Sequence, residues 1–345
     1  MLSMMRLGEL AEALGCRLEG EPDLPIHGLA PLAQAGPQDL SFVTDPRFAP
    51  QAAATRAAAL LVGLDFPAVA RQPPLHWLRT ARPDVAMAQA VALLRPPWRP
   101  APGIHPTASI HPSAELGPDC HVGAFVAIGE GCRLGAGAVL HPHAVLYPNV
   151  VAGERLLAHA HVVIREGTRL GDDVILQPGV VLGGDGFGFV HRPEGGYVKI
   201  PQVGSVSIGD GVEIQANSCV DRASLDVTRI GNGVKVDNLV QIAHNCQLAE
   251  NVLLCSQVGL AGSTRIEAEA VLAGQVGVAG HCTIGPGTVV TAQSGTHGDL
   301  QAGKMYSGSP AFDHGQWLRA TAAFQRLPEM QRELRQLRAS KPEHP

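Results

Sequence analysis

IAHNCQLAENVLLCSQVGL, residues 242–260, carries an aliphatic residue at every sixth position: Ile242, Leu248, Leu254 and Leu260. The same step continues in both directions along the chain. One run of fourteen aliphatic positions extends from 104 to 182, a second comprises 208, 214 and 220, and a third of eleven positions extends from 230 to 290. This regularity covers nearly half of the chain and decides its fold.

A period of six fits neither an α-helix nor an alternating hairpin strand. It fits a parallel β-helix in which each short side turns one aliphatic residue inward and three steps of the repeat complete one coil. Stacked coils would then lie about 4.8 Å apart. Two segments interrupt the repeat, a long loop over residues 183–206 and a short insertion over 221–229. Long loops on a rigid repeat commonly carry ligand contacts.

The composition excludes several classes of protein. The net charge of −5 gives no reason to expect a nucleic-acid partner. No apolar run approaches the roughly 20 residues of a membrane span. The seven cysteines are scattered and form no C-x-x-C pair, which indicates reduced, mostly space-filling thiols in a cytoplasmic protein.

The regions outside the repeat predict two further parts. Residues 1–100 suggest a small α/β domain with helices near 7–14 and 83–94, and the Pro-rich residues 96–102 form a stiff linker to the β-helix, residues 101–310. Residues 311–345 suggest a helical extension of two segments, 316–327 and 328–339, the second starting at Pro328. The extension has an apolar stripe of Leu327, Met330, Leu334 and Leu337.

The coil length converts sequence offsets into neighbours. His244 and Gly262 are separated by three steps of the repeat, which is one coil, and His281 follows on the same side of the next coil. Acyl transfer from a thioester needs a base that works near neutral pH and a backbone N–H that stabilises the oxyanion. The spacing therefore suggests an acyl-transfer site at His244 and Gly262. An imidazole on a turn is more often simply solvated, and spacing alone leaves both interpretations open.

Two pairs of histidines offer a competing interpretation. His141 and His143 lie one coil before His159 and His161, so stacking would bring imidazoles together as in a metal site. Stacked polar residues are expected at the corners of any solenoid, and no supporting carboxylates are apparent. We therefore predict neither a metal nor another cofactor.

Several short motifs resemble one known family. They are DGFGF at 185–189, VKIPQ at 198–202, NSCVDR at 217–222, IGNG at 230–233, DN at 237–238, QIAHN at 241–245 and SGSP at 307–310. Together they resemble the UDP-3-O-(3-hydroxyacyl)glucosamine N-acyltransferases of lipid A biosynthesis, which are hexapeptide-repeat acyltransferases. The resemblance implies a triangular, left-handed parallel β-helix that carries an N-terminal α/β uridine-binding domain and a C-terminal helical extension.

The resemblance also implies the reaction. A (3R)-3-hydroxyacyl chain would move from acyl carrier protein to the 2-amino group of UDP-3-O-(3-hydroxyacyl)glucosamine, in a cytoplasmic homotrimer. His244 would be the general base and the Gly262 amide would support the oxyanion. The implied substrate-binding residues are Phe42, Asp45, Arg47, Phe48, Asp237, Asn238 and His281. Gly295 and His297 would line the acyl groove, where some relatives have bulky apolar residues.

This chain departs from the family pattern at the uracil site. The family often has Asn at the position of Asp45 and Tyr at that of Phe48, so a hydrogen bond and a hydroxyl contact would be altered. Phe42 would stack on the base. The alternative for Phe42 and Phe48 is an ordinary place in the core.

Two rival functions remain. A related O-acyltransferase acts on UDP-N-acetylglucosamine, but that family lacks a separate N-terminal domain of this size, so residues 1–100 argue against it. The other rival is a non-catalytic β-helical scaffold. Activity with a carrier-protein thioester would separate an enzyme from a scaffold.

Overall fold

The computed structural model describes residues 4–67, 69 and 75–339. The chain divides into two compact units, one ending at Arg99 and the other beginning at Pro100. The division lies inside the predicted linker, where residues 96–102 form no helix or strand.

The N-terminal unit is a small α/β fold. Its elements are β1 (Met5–Arg6), α1 (Leu7–Ala13), β2 (Arg17–Glu19), β3 (Pro25–Ile26), β4 (Gly28–Leu29), β5 (Asp39–Val43), a 3₁₀ turn (Pro46–Phe48), α2 (Ala49–Ala54), β6 (Ala59–Gly63), β7 (His76–Thr80) and α3 (Pro83–Leu94). The five-stranded sheet has the order β2-β7-β6-β5-β4. Leu60 and Leu61 are both fully buried but belong to different apolar clusters, because successive residues of a strand point to opposite faces.

The second unit is a solenoid of very short strands. They are β8 (Gly103–Ile104), β9 (Ser109–Ile110), β10 (Glu115–Leu116), β11 (His121–Val122), β12 (Ala127–Ile128), β13 (Arg133–Leu134), β14 (Val139–Leu140), β15 (Val145–Leu146), β16 (Val151–Ala152), β17 (Leu157–Ala158), β18 (Val163–Ile164), β19 (Arg169–Leu170), β20 (Ile175–Leu176), β21 (Val181–Gly184), β22 (Phe189–His191), β23 (Tyr197–Lys199), β24 (Ser205–Ile208), β25 (Glu213–Ile214), β26 (Cys219–Asp221), β27 (Val227–Ile230), β28 (Lys235–Val236), β29 (Gln241–Ile242), β30 (Gln247–Leu248), β31 (Leu253–Leu254), β32 (Gly259–Leu260), β33 (Arg265–Ile266), β34 (Val271–Leu272), β35 (Gly277–Val278), β36 (Thr283–Ile284), β37 (Val289–Val290), β38 (Gly295–Thr296), β39 (Met305–Ser307) and β40 (Phe312–Asp313).

Successive strands join three parallel sheets in turn. Sheet A begins with β8, sheet B with β9 and sheet C with β10, and each later strand up to β21 joins the next sheet in the cycle. The predicted long loop carries an antiparallel hairpin of β22 and β23, after which β24 resumes the cycle in sheet C. In the uninterrupted coils, strand partners are three steps of the repeat apart, as for Gln241 and Gly259. At the C-terminal end β39 joins sheet A, and β40 pairs with it in the antiparallel direction.

The core inside the coils is denser than the six-residue pattern indicated. The predicted aliphatic positions point inward, and Val122, Leu140 and Ile164 are fully buried. In most sides a second residue two positions earlier is buried as well, usually a small apolar one, for example Val162 beside Ile164. Four of the seven free cysteines, Cys120, Cys132, Cys246 and Cys282, occupy such positions and are buried.

Glycine follows many of the strands, as Gly135 follows β13, and backbone conformation is not the reason. Gly135 has no unusual φ, but a Cβ built on it would lie 2.5 Å from the carbonyl carbon of Gly153 in the next coil. No side chain fits in that space. Close stacking of the coils, rather than backbone conformation, therefore requires glycine there.

The C-terminal extension is one helix, α4 (His314–Ala339). The prediction of a second helix starting at Pro328 is wrong, because Pro328 lies inside α4. A proline in a helix removes one backbone hydrogen bond. The Glu, Gln, Arg and Leu residues on both sides of Pro328 favour the helix strongly enough to continue it.

Candidate active site

The corner of the solenoid between sheets B and C brings the predicted catalytic residues together. His244 follows β29, Gly262 follows β32 and His281 follows β35. Backbone hydrogen bonds tie these turns into a column: the Ser263 N–H donates to the His244 carbonyl at 2.9 Å, and the His281 N–H donates to the Gly262 carbonyl at 3.1 Å. His244, Gly262 and His281 therefore lie on three successive coils.

The imidazole of His244 lies directly over Gly262. A Cβ built on Gly262 would be 2.5 Å from Cε1 and 2.6 Å from Nε2 of His244. Any residue with a side chain would displace the ring. Among the described residues, the Gly262 N–H donates to no protein acceptor. An imidazole and a backbone N–H without a protein acceptor thus occur on neighbouring coils of one corner, and these are the two kinds of group that acyl transfer requires.

The long loop packs against the same histidine. A Cβ on Gly186 would lie 2.7 Å from Cβ of His244. Arg222, which is 5% exposed, anchors the start of the loop, since its Nε donates to the Gly183 carbonyl at 2.7 Å and its Nη1 is 2.9 Å from Oε1 of Glu166. The loop is therefore a fixed part of the site's wall.

Asp221 is a candidate residue that sequence reasoning missed. It ends β26, one coil before His244, and burial raises its pKa to about 6, although the Gln241 side chain and His244 both favour its ionised form. Its carboxylate titrates in the range where a catalytic base operates. The sequence did not indicate that Asp221 lies one coil before His244, because the short insertion after Asp221 breaks the regular spacing of the coils.

Other predicted residues lie elsewhere. Asp237 and Asn238 follow β28, at the corner between sheets A and B. The Asp237 carboxylate accepts hydrogen bonds from the backbone N–H and from the side-chain amide of Asn238, each at 2.7 Å. Within one chain this is a different corner from that of His244. Gly295 lies in β38 and His297 follows it, in the column of the catalytic corner and beyond His281.

The predicted uracil residues lie in the N-terminal unit. Phe42 is half-buried in β5 and packs against the apolar core, whereas Phe48 is 49% exposed and is no core residue. The Asp45 carboxylate accepts from the Arg47 backbone N–H at 2.9 Å and from its Nε at 2.8 Å. These contacts lower the pKa of Asp45, the side-chain hydrogen bond from Arg47 contributing most.

The histidine pairs stack as the spacing suggested. The rings of His141 and His159 have centroids 4.9 Å apart and are inclined by 10°, and those of His143 and His161 are 5.0 Å apart and inclined by 5°. Ring nitrogens of parallel stacked imidazoles point outward in parallel rather than toward one ion. In the described part of the chain, no group of three or more His, Cys, Asp or Glu residues could hold a metal.

Comparison with known proteins identifies the family. A family profile described as UDP-3-O-(3-hydroxymyristoyl) glucosamine N-acyltransferase, LpxD, matches residues 23–93, and a bacterial transferase hexapeptide profile (six repeats) matches residues 107–142. UDP-3-O-acylglucosamine N-acyltransferase 3 of Gloeobacter violaceus is 51% identical over 333 residues, which cover 96% of this chain and 95% of the relative. The chain belongs to the UDP-3-O-acylglucosamine N-acyltransferase family.

Other members of the UDP-3-O-acylglucosamine N-acyltransferase family are similarly related. The protein of Myxococcus xanthus is 50% identical, with 96% of each chain covered. Protein 1 of Koribacter versatilis is 48% identical, with 98% of this chain and 100% of its own covered. Membership confirms the prediction of an acyltransferase enzyme.

A solved structure supports the fold. Arabidopsis UDP-N-acetylglucosamine acyltransferase superposes with a TM-score of 0.55 at 24% identity, over 61% of this chain and 73% of its own. The predicted fold class, a mainly β protein with a left-handed parallel β-helix, is confirmed. Among the residues that the structure describes, no helix combines the length and the apolar character needed to cross a bilayer.

Proposed function

We propose that the protein transfers a (3R)-3-hydroxyacyl chain from acyl carrier protein to the 2-amino group of UDP-3-O-(3-hydroxyacyl)glucosamine, a step of lipid A biosynthesis. The observation that carries the proposal is the imidazole of His244 held against Gly262, whose backbone N–H donates to no acceptor among the described residues. The names of the relatives point to the same acceptor.

The chemistry follows from these two groups. Nε2 of His244 accepts the proton that the amine loses as its nitrogen attacks the thioester carbon. The Gly262 N–H stabilises the negative charge on the carbonyl oxygen while the N–C bond forms. The C–S bond then breaks, and the imidazolium returns the proton to the departing thiolate.

The acceptor is tested by offering both candidates. With a mixed pool of carrier-protein thioesters, mass spectrometry should detect an amide formed on UDP-3-O-(3-hydroxyacyl)glucosamine and no ester on UDP-N-acetylglucosamine. Ester formation alone would establish the related O-acyltransferase activity, and a protein that acylates neither acceptor would be a scaffold.

A groove beside the catalytic corner favours an anionic donor. The groove has a volume of about 710 Å³, and its lining includes Arg229 and Arg265 together with Asp226 and Glu267. Both arginines are exposed, and neither forms an ion pair within the described residues. Guanidinium groups without an ion-pair partner can form charge-assisted hydrogen bonds with the phosphodiester of a carrier-protein arm.

Uridine binding is proposed for the N-terminal unit. Phe42 and the exposed Phe48 offer aromatic faces to a base. The ion pair of Asp45 and Arg47 lies between them in the sequence and supplies polar groups at the same turn.

A side-chain-free strip runs along sheet B next to His244. Gly259, Gly277 and Gly295 are partners in adjacent strands, following Gln241 in the same column. A Cβ on Gly259 or Gly277 would meet no atom within 4 Å, so the outer surface there is open. We assign this strip, with His297, to the acyl chain.

Filling the far end of the strip should shorten the preferred acyl chain. Gly295→Met places an unbranched side chain where the strip ends near Ser309, whose Oγ would be 3.2 Å from a Cβ at 295. We expect kcat/KM for the longest accepted thioester to fall at least about tenfold relative to one about four carbons shorter, measured by competition and mass spectrometry. Gly274→Met, outside the strip, is the control. An unchanged chain-length profile in Gly295→Met would contradict the assignment.

Apolar surfaces favour self-association. On α4, Leu327, Met330 and Leu334 are 49%, 41% and 56% exposed, and the side chain of Leu337 lies outside the described residues. The outward column of sheet A is also apolar at Leu253, which is 39% exposed, and Val271. Isolated helices rarely leave such a stripe uncovered. We propose a homotrimer in the cytoplasm.

Light scattering tests the oligomer. We expect a mass close to three times 36.1 kDa at micromolar concentration. The double substitution Leu327→Glu and Leu334→Glu should shift the mass toward the monomer, because it places charges in an apolar contact. Gln331→Glu on the same helix is the control. A monomer mass for the unaltered protein would refute the trimer.

A further inference from the structure

The side chain of Asn245 fixes the orientation of His244. Nδ1 of His244 and Oδ1 of Asn245 are 3.0 Å apart. An amide oxygen only accepts, so the direction of this hydrogen bond depends on whether the Asn245 atom is truly the oxygen. A second partner of that atom decides the question.

That partner is the backbone of Ser224. Its N–H points to the same atom of Asn245 at 3.0 Å. A backbone N–H only donates, so the Asn245 atom must be the oxygen and Nδ1 of His244 must carry the proton. In a neutral imidazole the lone pair is then on Nε2, the nitrogen that faces Gly262.

Ser224 is in turn held by Gln202, a residue of the long loop. Its hydroxyl donates to Oε1 of Gln202 at 2.9 Å, and Nε2 of Gln202 donates to the Ile200 carbonyl at 3.0 Å. Gln202 is 6% exposed. A carbonyl only accepts, so the orientation of this amide is fixed as well. In the series of hydrogen bonds from Ile200 to His244, every donor thus faces an acceptor.

We propose that Asn245 is a positioning residue, which holds His244 in the tautomer with the proton on Nδ1 and the lone pair on Nε2. This inference rests on the proposed role of His244 as base. Asp221 from the preceding coil interacts electrostatically with this imidazole, and Asp185 from the long loop interacts with Asp221. Neither forms a hydrogen bond with it among the described residues, so the amide of Asn245 sets the tautomer.

Two substitutions test the proposal without straining the backbone. Asn245 has φ +62°, a conformation that glycine and aspartate tolerate. Asn245→Gly removes the acceptor, and we expect ¹⁵N NMR to show loss of the Nδ1–H signature of His244. We expect kcat to fall about 10- to 100-fold, the usual effect of losing a residue that orients a catalytic group, with KM for the nucleotide sugar within about twofold.

Asn245→Asp keeps an acceptor and should retain the tautomer and most of kcat. The acid limb of its kcat/KM profile should move to higher pH, because a carboxylate stabilises the imidazolium. Asn251→Gly, at φ +56° on another corner, is the matched control and should change none of these readouts. An unchanged Nδ1–H signature in Asn245→Gly, or equal losses of kcat in Asn245→Gly and Asn245→Asp, would overturn the proposal. The NMR readout needs no turnover, so this failure is distinguishable from failure of the proposed function.

Discussion

His244→Ala should lower kcat by roughly 10²- to 10⁴-fold, the range expected for loss of a general base. The imidazole is the titratable group that lies over Gly262. Its removal takes away Nε2, the atom that would accept the proton of the amine. The fold should persist, because His244 lies on an outer turn and contributes nothing to the aliphatic core. Turnover is measured with the carrier-protein thioester at saturating acceptor.

His111→Ala provides the control, because His111 is an exposed histidine that follows β9 at the same corner of the solenoid. It should have normal activity. A folded His244→Ala protein with near-normal turnover would remove His244 from the mechanism and, with it, the proposed function.

Gly262→Ala should be nearly as damaging, although it adds a single methyl group. The new Cβ would lie 2.5 Å from Cε1 of His244, so the ring or the turn must move. A displacement of about 1 Å at a reacting group can cost about 10²-fold in rate. We therefore expect kcat to fall at least about 10²-fold while the thermal midpoint changes little.

Gly298→Ala is the matched control, since a Cβ at Gly298 would meet no heavy atom within 4 Å. It should retain full activity. If Gly262→Ala were as active as Gly298→Ala, the close approach of the ring to Gly262 would be irrelevant to catalysis.

The regular part of the fold could be predicted because every side of every coil must bury an aliphatic residue. Ile242, Leu260 and Val278 all point inward from sheet B, so a pattern of buried aliphatic residues also fixes which turns are stacked. The relation between His244 and Gly262 followed from that arithmetic alone. It needed no knowledge of side-chain contacts.

The rest of the site could not be predicted because it depends on the interruptions. Gln202, Ser224 and Asn245 come together across two insertions, at sequence separations that match no multiple of the coil. A Cβ on Gly184, at the start of the same loop, would lie 3.9 Å from Oδ1 of Asp221. An irregular loop has no period from which its contacts can be inferred. The interruption of the repeat indicated that the loop could carry ligand contacts, and the resemblance to a family drew attention to its individual residues.

The register of the glycine strip places its glycines at equal intervals along the solenoid. Gly259, Gly277 and Gly295 stand one coil apart, and each coil advances the strip by about 4.8 Å, or roughly four methylene groups of an extended chain. With the acyl chain lying along the strip, an obstruction can be moved only from one coil to the next. Selectivity in this scaffold would therefore change in discrete steps of about four carbons, and smaller adjustments would depend on the size of the obstructing side chain.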